Sequence, residues 1–97
     1  MNLIEQQPHF WELYQNHDQY YLSIAVDMSS VVSCWDIRLA DDVAEHYRNK
    51  GRIAIEELAD RIVKESYCGD FSLLEQLSAS PEDKQAMQQA FMLWKKG

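Results

Sequence analysis

Three histidines (His9, His17, His46) and two cysteines (Cys34, Cys68) have the widest chemical range in this sequence. A metal site needs such side chains clustered at ligand spacing. No C-x-x-C is present, and His9 and His17 straddle the end of the helix expected around them. Neither a metal nor a cofactor is therefore expected. A nucleophilic site would need an activated cysteine or serine. There is no G-x-S-x-G, no glycine-rich phosphate loop and no Walker lysine. Cys34 is expected as a small buried side chain on a strand, turned away from Trp35, and Cys68 as a loop thiol. The adjacent acids Asp41-Asp42, Glu56-Glu57 and Glu82-Asp83 could suggest acid–base work. That chemistry needs two carboxylates in different environments across a pocket, whereas acids in a helix's first turn stabilise its positive end. No catalytic residue is assigned, and the chain is not read as an enzyme. A third reading, a small ligand-binding domain or enzyme, would need a buried pocket lined by a histidine and a carboxylate, such as His46 with Glu12 or Asp18.

Those side chains must be held by one domain of 97 residues, long enough for a single core. Apolar residues make up 46% of it, too many for a disordered chain. No internal repeat or linker divides it, so residues 1–97 are expected as one unit. The longest uncharged apolar run, near Tyr20 to Val26, is far below the roughly 20 residues of a membrane span. The start, Met1-Asn2-Leu3-Ile4-Glu5-Gln6-Gln7, has neither the basic region nor the apolar run of a signal peptide. With reduced thiols, this gives an expectation of a cytoplasmic protein.

The net charge of −7 is unevenly placed. Residues 1–45 hold eight acids and one base, Arg38, while residues 46–97 hold eight of each. An acidic chain lacks the basic patch of a nucleic-acid binder, so no direct nucleic-acid contact is expected.

The pattern reads as an α+β fold. Pro8 with Phe10, Trp11, Leu13 and Tyr14 predicts a short N-terminal helix over roughly 8–16. Alternation then predicts one antiparallel β-hairpin, about 20–28 and 31–39, joined at Ser29-Ser30. A two-residue loop sets Ile24 opposite Trp35 and Leu22 opposite Ile37. Helices are predicted over about 41–49, 52–66, 71–77 and 81–95. Asp42 and Glu45 resemble a capping box, and Ser80-Pro81-Glu82-Asp83 is a strong helix start. Gly51 either ends a helix or is tolerated within one.

The hairpin's second face (Tyr21, Ser23, Ala25, Asp27; Val32, Cys34, Asp36, Arg38) is neither clean core nor clean surface. Either the N-terminal helix covers it, or it meets a partner. The cadence of Tyr20-Tyr21-Leu22-Ser23-Ile24, Asp36-Ile37-Arg38-Leu39, Tyr47-Arg48-Asn49-Lys50-Gly51-Arg52 and Glu57-Leu58-Ala59 resembles a class of short bacterial hypothetical proteins; small size, acidity in the first half and crowded aromatics carry a second likeness. In type the chain resembles the small acidic immunity proteins that bacteria make against toxins. The resemblance implies inhibition of a basic partner such as a toxin nuclease, and it transfers no individual binding residue. From charge and exposure, the expected partner-binding residues are Tyr21 as anchor, with Asp27, Asp36, Asp41, Asp42 and Glu45 for attraction. The alternative is a homodimeric structural or adaptor protein that self-associates through the hairpin.

Overall fold

Two tight turns shape the N-terminal half of the computed structural model, which describes residues 1–27 and 31–96. In the first, Pro8 precedes His9, whose φ is +66°, and the Phe10 N–H donates to the Gln7 carbonyl at 3.0 Å. Proline followed by a left-handed residue is the pattern of a type II turn. It joins β1 (Asn2–Gln7) to β2 (Trp11–Asn16). In the second, His17 has φ +57° while Asp18 keeps an ordinary φ. This is the type II′ pattern, whose twist suits a hairpin. It joins β2 to β3 (Gln19–Asp27). With β4 (Val32–Arg38), these strands form one antiparallel sheet of order β1-β2-β3-β4.

The expected N-terminal helix and lone hairpin are thereby corrected: residues 2–16 are two more strands. The spacing misled for a physical reason. Trp11 and Leu13 point to one sheet face and Tyr14 to the other, and helices cover both. A strand covered on both sides carries apolar residues in both parities, so its alternation is lost. The hairpin itself has the expected register, with Leu22 opposite Ile37 and Ile24 opposite Trp35. Its Ser29-Ser30 joint lies outside the described residues.

Four helices follow: α1 (Asp41–Lys50), α2 (Arg52–Tyr67), α3 (Ser72–Gln76) and α4 (Pro81–Lys96). Each bound lies within one residue of the sequence expectation. Gly51 separates α1 from α2 with φ +72° and ψ −147°, and its N–H donates to the Tyr47 carbonyl at 2.7 Å. Ser80 caps α4, its Oγ accepting from the Asp83 N–H at 3.1 Å. The capping box expected at Asp42 and Glu45 does not form. α1 starts after Ala40 without a side-chain cap, so Asp41 and Asp42 act on its positive end by charge alone.

The sheet separates two cores. On its first face, Trp11, Leu13, Leu22, Ile24, Val26 and Ile37 pack against Ala44 of α1, Ile55, Leu58, Ala59 and Ile62 of α2, and Leu74 of α3. On its second face, Tyr14 and Tyr21 pack with Leu3 against Met87, Ala90 and Phe91 of α4. The chain changes faces by rounding the sheet edge. After α3, the Leu77 carbonyl accepts from the Arg38 N–H at 2.8 Å, and the Ala79 N–H donates to the Asp36 carbonyl at 2.9 Å. This short pairing covers the outer edge of β4 at its C-terminal end and delivers α4 to the second face. At the opposite edge, Arg52 donates to the Gln6 carbonyl of β1 at 2.9 Å. Both devices satisfy edge groups that a sheet otherwise leaves open.

Candidate binding groove

Cross-strand register builds the site. Leu3, Tyr14, Tyr21 and Arg38 form one row across all four strands on the second face. Gln6, Glu12, Ser23 and Asp36 form the next row. α4 seals the aromatic row, whose rings gain most from burial. The polar row is left half-buried beside the helix. Between them runs a groove of about 540 Å³, with Glu12, Tyr14, Ser23 and Asp36 on the sheet side and Lys84, Gln88 and Phe91 on the helix side.

Burial pushes the Glu12 carboxyl above its ordinary range, and the charge of Asp36 adds to this. The Tyr14 hydroxyl is raised strongly by burial and then by the same two carboxylates. Two carboxylates, Glu12 and Asp36, thus face the groove from the sheet, with Lys84 opposite them on the helix. Among the described residues, the four ion pairs all lie on α1 and α2: His46–Glu57, Arg52–Glu56, Arg61–Glu65 and Lys64–Asp60. None involves Glu12, Asp27 or Asp36. The groove can therefore accept hydrogen bonds from an incoming cationic side chain. No three His, Cys, Asp or Glu among the described residues gather as a metal ion would require.

The expected site residues divide. Asp36 lines the groove, and Asp27 lies exposed on the same face, paired with Val32 at the far end of β3. Asp41, Asp42 and Glu45 sit on α1, whose layer covers the opposite face. Tyr21 is not an exposed anchor. It is 2% exposed, packs under α4, and donates its hydroxyl to Gln19 at 2.9 Å. Burial first, then Asp83, raises its hydroxyl, with Arg38 opposing. Cys34, expected buried, is exposed. His46 and Glu12, one histidine–carboxylate pairing considered above, are not brought together. His46 meets Glu57 at 3.3 Å, and Glu12 lies across the sheet.

The sequence placed Glu12 only as a possible pocket partner of His46; its place beside Asp36 was hidden because it sat in the expected helix. Only strand alternation, which places it in register with Ser23, could have found it.

Fold and site together define an α+β domain: a four-stranded antiparallel meander between two helical layers, with an acidic groove on one face. The chain matches no family model, no curated protein and no solved structure. Among the described residues, no helix is long and apolar enough to cross a membrane.

Proposed function

We propose that this chain is a small acidic protein-binding domain, of the immunity or antitoxin type, that inhibits a basic partner such as a toxin nuclease. The observation that carries the reading is the shared face of Glu12, Asp27 and Asp36: three carboxylates on one side of the sheet, none in an ion pair among the described residues. A nuclease cleft accepts phosphates and presents lysine and arginine. A rigid face of carboxylates can occupy it as a charge mimic, and its field speeds encounter. Asp41, Asp42 and Glu45 add to the overall negative charge from the other side of the molecule and do not belong to this contact. The sheet supports the reading because residues on paired strands hold their spacing without ordering on binding.

The test is capture from the source cell with the tagged chain, followed by binding kinetics with the protein retained. The partner should be basic, and its association should slow with added salt. Asp27→Lys with Asp36→Lys should cut the association rate at low salt while leaving the fold intact. An association rate unchanged by this reversal would refute the assignment of the face. Co-expression with the captured protein then tests whether the chain suppresses toxicity.

A further inference from the structure

We propose that two copies of this chain associate through the outer ridge of α4, antiparallel and two-fold about Gln89. The inner side of α4 is occupied by the second core, through Met87, Ala90 and Phe91. Its outer side carries Glu82, Gln85, Gln89, Leu93 and Lys96, three or four residues apart, which sets them in one line along a helix. All five are exposed. Leu93, at 71%, is the most exposed of the large apolar side chains among the described residues, and Met92 beside it is 51% exposed.

The occupant follows from charge. The ridge has an acid at one end, Glu82, and a base at the other, Lys96, and neither forms an ion pair within the chain among the described residues. A second copy laid antiparallel sets its Lys96 against Glu82 of the first and repeats the contact at the other end. Leu93 then packs against Gln85 of the other copy, with Met92 beside it, and the two Gln89 amides meet at the axis. Helix dipoles also oppose favourably. A two-fold contact needs a self-complementary surface, and this ridge is one. Other pairings are penalised. A parallel pair sets Glu82 on Glu82 and Lys96 on Lys96, and a crossing at the Leu93 tips brings the lysines together. Pairing through the open part of β4 would crowd Asp27 and Asp36 of both copies onto one face. One helix pair is a small interface, so the dimer is weak, with a Kd of about tens to hundreds of micromolar.

Sedimentation velocity of the full chain from about 5 µM to about 500 µM tests this across the expected Kd. A reversible monomer–dimer equilibrium is expected. Leu93→Glu, Glu82→Lys and Lys96→Glu should each weaken it roughly tenfold or more, since every change acts at two symmetric places. The double reversal Glu82→Lys with Lys96→Glu should restore it, because the two residues face each other. Alkylating Cys34, on β4, should leave it unchanged. All these positions are exposed, and far-UV circular dichroism checks the fold of each variant. The inference is overturned by a monomer throughout, by a dimer indifferent to Leu93→Glu, by a double reversal no better than the single ones, or by a dimer lost on Cys34 alkylation.

Discussion

Glu12 and Asp36 stand at the two ends of a row across β2, β3 and β4, with Ser23 between them. Two inter-strand spacings separate their backbones by about 10 Å. Among the described residues neither acid forms an ion pair, and the Asp36 charge helps hold the Glu12 carboxyl above its ordinary range. Both acids face the groove, and holding Glu12 there costs the fold some stability.

That cost has a definite pH dependence. A carboxyl raised above its unfolded value of 4.5 binds its proton more tightly in the folded state. Its contribution favours folding below that value and is lost as pH rises through the raised one. Glu12→Gln removes the ionisation. The variant should melt higher than the parent at pH 7, and the advantage should shrink as pH falls through the raised value and vanish below 4.5. Thermal melts at stepped pH check this. A gap that does not vary with pH would mean that ionisation of Glu12 is not its source.

Tyr21 belongs to the core. Tyr21→Ala should cost about 3–5 kcal/mol, as large aromatic deletions in cores do. Tyr21→Phe should lose the hydroxyl's interactions with Gln19 and Asp83, about 0.5–1.5 kcal/mol. Urea denaturation reads both. An exposed anchor would instead show changes within about 0.5 kcal/mol for either substitution.

Gly51 lies at φ +72° and ψ −147°, a region that side-chain-bearing residues avoid, yet an added Cβ would meet no atom within 4 Å. The whole penalty of Gly51→Ala is therefore backbone strain, about 1–3 kcal/mol. Equilibrium unfolding should show this loss of stability. A neutral substitution would mean that the α1–α2 junction relaxes.

Arg52 ties α2 to the edge of the sheet. Its guanidinium donates to the Gln6 carbonyl at 2.9 Å and to Gln7 Oε1 at 2.8 Å, and lies 4.7 Å from the Trp11 ring centroid. Arg52→Ala should cost about 1–2 kcal/mol through the lost bonds and stacking. Arg52→Lys should recover little, because an ammonium can neither fork nor stack as a flat guanidinium does. Hydrogen exchange should speed up in β1 in both variants.

The sequence by itself determined the C-terminal half almost to the residue. Ser80-Pro81 and Gly51 are local signals: a cap, a fixed φ and a left-handed hinge act within a few residues and need no distant partner. It also set the register of β3 against β4, since only one parity buries Leu22, Ile24 and Ile37 together. The concentration of acid in the first half was legible too, but its geometry was not.

Tertiary structure decided the rest. Residues 2–16 became strands because β3 offered an edge to pair with and α4 buried Tyr14 on the second face. That second cover erased the alternation by which a strand is read. The same packing took Tyr21 inside, left Cys34 out, and divided the six expected contact residues between two sides of one sheet. Glu12 joined Asp36 through a register that links residues 24 positions apart, with Ser23 between them. Such a pairing is a property of the sheet as a whole, and no local pattern of residues contains it.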